Sequence, residues 1–227
     1  MAEQLGLDLP VRTARGRDDF LVAPCNAMAV AMIENWRNWT SGKLVLSGPE
    51  GAGKTHLVHV WADATGARIV EAATLGDADV PALADGPVAV ENVPLIARDD
   101  AAQTALFHLH NLTLANGHPL LLTGTGSAAH WDLGLPDLQS RMRGTLEASI
   151  AAPDDALLAA LLVKLLADRQ LTPPADLVPY LLRRIDRSFA AATEVIEALD
   201  AHSLARKRPV TRALAAEVLD KLGGSAR

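Results

Sequence analysis

The residues Gly48-Pro49-Glu50-Gly51-Ala52-Gly53-Lys54-Thr55 carry the most chemistry in the chain. Gly, four residues, Gly, Lys and then Thr is the pattern of a phosphate-binding loop. Gly48, Gly51 and Gly53 let the backbone curl so that successive N–H groups point at one anion. A helix leaving the loop adds the positive end of its dipole. In such a loop the Lys54 amine reaches the β and γ phosphates and the Thr55 hydroxyl ligates magnesium. The metal also needs an acid at the tip of a neighbouring strand. Glu91, after the apolar run "VAV", is placed for that duty with a side chain one methylene longer than aspartate. Asn92 follows, where a hydrolase usually carries a second carboxylate to polarise the attacking water, and an amide cannot accept that proton. These residues predict a nucleotide holder with Mg2+ at Thr55 and Glu91 and a weakness in hydrolysis.

A loop of this kind works only when a strand delivers it and a helix leaves it. "KLVLS" (43–47) is a short apolar run ending in the glycines and reads as a buried strand. Residues 55–64 read as a helix that stops near Gly66. Further strands are expected at 67–72, 86–93 and 119–124, and further helices at 26–39, with Asn26 as N-cap, and at 101–115. Strands alternating with helices predict an α/β fold, a parallel sheet with helices on both faces. From Asp154 onward there is no strand candidate. Four helices are expected, at 154–168, 175–185, 189–205 and 211–222, with Asp154, Pro174 and Thr211 near three of their starts. The chain therefore divides into a tail (1–17), an α/β core (18–150) and a helical C-terminal part (151–227).

The 227 residues are 49% apolar and 4% aromatic, an ordinary globular composition. The single cysteine, Cys25, supports neither a disulfide framework nor a zinc cluster and reads as a small buried hydrophobe. The N-terminus lacks a basic and then apolar leader, and no apolar run is long enough for a bilayer, so the expectation is a soluble cytoplasmic protein with no membrane contact. The net charge is −6, and residues 18–150, with 7 Lys/Arg against 15 Asp/Glu, are more acidic than the chain as a whole. An acidic core repels phosphate backbones, so direct nucleic-acid binding is not expected. The cluster Arg206-Lys207-Arg208 reads as solvated at a helix end. His108 and His110, two apart on a helix, face different sides and make no metal pair. Trp36, Trp39, Trp61 and Trp131 read as packing residues.

The loop, "VAVEN", "LLLTGT" and "DLGLPDLQSRMRGT", in this order, resemble the AAA+ ATPases of the DnaA branch over about residues 18–222. Within that branch the chain is most similar to the Hda type, regulatory inactivators of DnaA. The stretch "LGLPDLQSR", the Asn after the strand-end acid and "QLGLDL" near the N-terminus carry that choice. Nothing after the lid helices resembles DnaA's helix-turn-helix domain. The resemblance implies a P-loop AAA+ parallel sheet in an αβα sandwich with a small C-terminal helical lid, holding ADP or ATP with Mg2+. It implies that Arg141 is an arginine finger acting on a nucleotide in a neighbouring subunit, a task suited to a permanently charged fork. It places Thr125, with Thr123 as runner-up, at the sensor near the γ phosphate, and Phe20 and Val22 as apolar walls of the adenine pocket, with Ala23 in place of a glycine. The second sensor, an arginine in the third lid helix, falls on Ala190 here, and Arg187 stands three residues earlier. Gln4, Leu5, Leu7 and Leu9 resemble a peptide that binds the bacterial sliding clamp.

The favoured expectation is thus an adenine-nucleotide-binding regulator with little or no turnover of its own. With the sliding clamp it would stimulate hydrolysis of the ATP on DnaA, possible homo-oligomers aside, and so repress initiation of replication. Two alternatives differ in class: a self-sufficient P-loop ATPase acting as a loader or chaperone, and a small-molecule phosphotransferase. The second needs basic residues in an acceptor pocket, against which the acidic core argues. Steady-state phosphate release by the chain alone separates the first.

Overall fold

The structure is a computed structural model that describes residues 22–206 and 208–224. Gln4, Leu5, Leu7, Leu9 and Phe20 lie outside the described residues. Five parallel strands form one sheet in the order β2-β3-β4-β1-β5: β1 (Lys43–Ser47), β2 (Arg68–Glu71), β3 (Val88–Glu91), β4 (Leu120–Gly124) and β5 (Glu147–Ser149). Every residue of β1, β3 and β4 is buried, which is why the three read as unbroken apolar runs. Edge strand β5, "EAS", has no such run and was not foreseen; only pairing with β1 makes it a strand.

Alternate residues of the central strands feed two cores. Val45, Val90 and Leu122 pack with Leu106 and Leu109 of α4 (Asp100–Ala115) and Leu138 and Met142 of α5 (Pro136–Arg143). Leu44, Leu46 and Leu121 pack on the other face with Ile33 of α1 (Ala27–Glu34) and Leu57 and Trp61 of α2 (Lys54–Thr65). Trp39 stacks on Trp61 with ring centroids 5.4 Å apart. A four-residue helix, α3 (Val80–Leu83), bridges β2 and β3. The lid helices α6 (Asp155–Asp168), α7 (Leu177–Leu182), α8 (Phe189–Arg206) and α9 (Arg212–Gly224) share a separate apolar cluster that includes Leu162, Leu181 and Ile196.

Local signals placed most helix ends. Asp154 caps α6 by accepting from the Leu157 N–H at 2.8 Å, and Gly66 closes α2 with its N–H on the Ala62 carbonyl. Helix α1 is shorter than expected: after Glu34 the chain tightens into 3-10 turns at Trp36–Asn38 and Thr40–Gly42. Nor does Asn26 cap it. Its Oδ1 turns back to accept the Ala23 N–H at 2.8 Å, bracing the turn before the helix. Cys25 is only half-buried, not a core residue. Among the described residues no helix is long and apolar enough to cross a membrane.

Candidate nucleotide site

The loop leaves the end of β1 and enters α2 with Gly53 as the residue before the helix. The Lys54 ammonium is buried and donates to the Gly48 and Pro49 carbonyls, each at 2.8 Å. Burial pushes its pKa down, and the carboxylates of Glu50 and Glu91 work against that. The amine is therefore folded over the loop it serves, where phosphate oxygens would exchange with the two carbonyls. The Thr55 hydroxyl donates to Glu91 Oε1 at 2.6 Å, and Glu91 is only 4% exposed. Hydroxyl and carboxylate from different elements thus converge as oxygen donors, a set that suits Mg2+. Among the described residues no three His, Cys, Asp or Glu side chains gather as a metal site.

The lid reaches the loop directly. The Phe189 N–H, at the start of α8, donates to the Gly51 carbonyl at 2.9 Å. Gly51 has φ 69°, and a Cβ there would lie 2.8 Å from Ser188 Cβ and 3.0 Å from Ala190 Cβ. Only glycine permits both this backbone and this approach. Ala190 therefore sits against the phosphate loop with a methyl group and no charge. Arg187 does not replace it: its guanidinium forks onto Asp155 at the start of α6, at 2.8 and 3.2 Å, and is largely exposed.

At the neighbouring strand ends Asn92 adopts the left-handed conformation, φ 59° and ψ 41°, which asparagine tolerates better than most residues. Its N–H donates to Thr123 Oγ1 at 3.2 Å, and its side-chain amide donates to Glu71 Oε2 at 3.0 Å. Thr123 is buried, whereas Thr125 is exposed at the tip beyond β4. Between them, Gly124 admits no side chain, because a Cβ would come within 2.6 Å of both Pro94 and Trp131. Trp131 Nε1 donates to the Thr125 and Gly126 carbonyls, which fixes that tip. Glu147 accepts from Ser47 Oγ at 2.6 Å and Ser127 Oγ at 2.9 Å, tying the same tip to the end of β1.

Arg141 lies elsewhere. On α5 its guanidinium sits 5.9 Å from the centre of the Phe107 ring, and its charge is felt by Lys43 and His110. Lys43 opens β1 while the loop follows its end. Five residues of strand rise about 16 Å, so Arg141 stands well away from its own loop. Gln139, two residues before it, accepts the Leu133 N–H at 3.0 Å and donates to the Ala129 carbonyl at 3.2 Å, anchoring α5.

Residues 154–219 match the protein family described as "Hda, lid domain". The whole chain superposes on domain III of the replication initiation protein DnaA from Thermotoga maritima with a TM-score of 0.78, covering 94% of this chain and 98% of that one at 16% identity. The segment 154–219 is thus of the Hda lid-domain family, within a chain that has the fold of that DnaA domain. A DnaA bound to AMPPCP and single-stranded DNA superposes on this chain with a TM-score of 0.70 and 18% identity, over 84% of this chain and 66% of that one. A RuvB variant from Thermotoga maritima superposes with a TM-score of 0.69 and 15% identity, over 92% of this chain and 72% of that one.

In this fold Gly48, Gly51, Gly53, Lys54, Thr55 and Glu91 come together, with Asn92 and Thr123 beside them. Thr125 is near but faces out, Val22 is half-exposed, and Arg141 is apart. Sequence reading missed Glu71, Glu147, Gln139 and Ser188, whose roles arise from contacts six or more residues away in the chain. It noted Trp131 only as packing. Gln139 and Trp131 gave one local sign, a polar or amphipathic side chain inside an otherwise apolar pattern.

Proposed function

We propose that this chain holds an adenine nucleotide with Mg2+ between its core and lid, and uses Arg141 to stimulate hydrolysis of the ATP bound to DnaA. One observation carries the reading. Arg141 has no carboxylate partner among the described residues and stands at the end of the sheet away from its own loop. A guanidinium so placed serves a nucleotide outside its own chain. At the cis site, the Gly48–Gly53 backbone and the Lys54 amine hold the phosphates, and Thr55 and Glu91 hold the metal. Bound Mg2+ neutralises phosphate charge there. Ala190 and Asn92 leave the γ position without a lid cation or a water-polarising carboxylate, so the nucleotide is retained and its role is to fix the core–lid arrangement. The AMPPCP in the superposed DnaA supports an adenine nucleotide. That DnaA also holds single-stranded DNA; the acidic core argues against DNA as a partner here. The sliding clamp, reached through Gln4, Leu5, Leu7 and Leu9, would direct the action to DNA being copied.

The test compares two variants in a reaction holding ATP-loaded DnaA and clamp on DNA. Arg141→Ala should leave fold and nucleotide affinity intact and abolish stimulated phosphate release. Lys54→Ala should weaken nucleotide binding more than tenfold, above about 1.4 kcal/mol by calorimetry. Undiminished stimulation by Arg141→Ala would overturn the trans role. Phosphate release by the chain alone near the enzyme median of about 10 per second would favour the self-sufficient ATPase.

A further inference from the structure

The strand ends beside the phosphate loop pair an amide with a carboxylate. β3 ends Glu91-Asn92 and β2 ends in Glu71, with Glu71 in register with Glu91 across the ladder. Asn92 Nδ2 donates to Glu71 Oε2 at 3.0 Å, and among the described residues this is the carboxylate's only side-chain partner. Among the described residues no lysine or arginine pairs with Glu71, although the ladder sets a second acid, Glu91, beside it. Glu91 is itself engaged by Thr55. A third acid at position 92 would face Glu71 at hydrogen-bond distance, which is unfavourable for like charges at adjacent strand ends.

We infer that Glu71 and Asn92 form one unit that keeps a water-polarising carboxylate out of position 92, so that the site retains its nucleotide through two residues and not through Asn92 alone. This rests on the nucleotide-holding reading above. Glu71 acts here as a positioning residue. At position 92 the side-chain amide donates to Glu71 while the backbone N–H donates to Thr123 Oγ1, so the acid that ends β2 favours an amide just after β3. Exchanging the groups, by Asn92→Asp with Glu71→Gln, keeps the charge and the hydrogen bond but moves the carboxylate next to Glu91. That carboxylate can then take the proton of an attacking water as the water oxygen bonds to the γ phosphorus. The bond from that phosphorus to the β–γ bridging oxygen breaks with its electron pair on ADP, and the proton passes to solvent, giving ADP and phosphate.

The experiment is a cycle of wild type, Asn92→Asp, Glu71→Gln and the exchange, read by melting temperature without nucleotide, by ADP affinity, and by phosphate release from ATP. Asn92→Asp alone should melt about 3 °C lower, Glu71→Gln close to wild type, and the exchange within about 1 °C of wild type. Phosphate release should rise about a hundredfold in the exchange, in keeping with a restored general base. Additive melting shifts would overturn the pairing. So would Asn92→Asp alone releasing phosphate as fast as the exchange. An exchange that binds ADP normally yet releases no more phosphate than wild type would overturn the retention role. If wild type binds no adenine nucleotide the proposed function fails, while the melting cycle still judges the pair.

Discussion

His110 shows how a residue far from the phosphates is tied to the proposed finger. It is 1% exposed, with Nε2 3.1 Å from the Lys43 ammonium and Nδ1 3.2 Å from Asn111 Oδ1. Burial, and then the charges of Lys43 and Arg141, push its pKa down to about 4 against the Asn111 hydrogen bond. The unfolded chain binds this proton near the ordinary value of about 6.5, so between about pH 6.5 and 4 it holds more protons than the folded one. Stability from this group is full above that window and is lost as pH falls through it, by up to about 3 kcal/mol. His110→Gln should therefore flatten the fall in urea midpoint between pH 7 and 4. An unchanged slope would place the titration elsewhere. The same neutral imidazole accepts from Lys43, a buried ammonium whose only partner among the described residues it is. The pair lies near Arg141, which has no carboxylate partner among the described residues. Of this cluster the sequence disclosed only that His108 and His110 face different sides; His108 is indeed exposed and His110 buried.

At the scale of elements the docking of α8 on the phosphate loop is the main finding. Gly51 and Gly66 make a controlled comparison, because both hold a left-handed backbone, φ 69° and 72°. A Cβ at Gly66 meets nothing within 4 Å, while one at Gly51 meets Ser188 and Ala190 at 2.8 and 3.0 Å. Gly66→Ala should cost only the conformational penalty, about 1 kcal/mol, with nucleotide affinity unchanged. Gly51→Ala should cost that much and also push α8 from the loop, so calorimetry should show nucleotide binding lost by tenfold or more. Equal affinities for the two variants would show that lid contact does not support the site. The phosphate-loop pattern marked Gly51 as a loop glycine, but its contact with the lid spans more than a hundred residues and leaves no local trace.

For the whole molecule, the proposed clamp contact falls to the tail. The order Gln4, Leu5, Leu7 and Leu9 offers a polar amide followed by apolar side chains at alternate positions, which share one face in an extended segment. Replacing Gln4 and Leu5 by alanine should abolish binding to the sliding clamp on a sensor surface, with melting temperature and nucleotide affinity unchanged. A lower melting temperature with clamp binding intact would make the tail a structural strand of its own protein. Stimulation of DnaA in the clamp-dependent reaction should fall with the first outcome and not with the second.

The sequence alone determined what is written locally: the loop glycines with Lys54 and Thr55, the buried strands as apolar runs, the helix ends at Asp154 and Gly66, and the amide that follows Glu91. Each depends on residue type and on spacing within a few positions, and backbone conformation responds to both. Tertiary structure decided which distant groups meet. It made a strand of "EAS" by pairing it with β1, set Ala190 on Gly51, bound Asn92 to Glu71, and turned Arg187 onto Asp155. It also put Arg141 at the opposite end of β1 from the loop. Periodicity tells which face of a segment is buried; the partner on that face is chosen by sheet order, register and packing, which only the folded chain supplies.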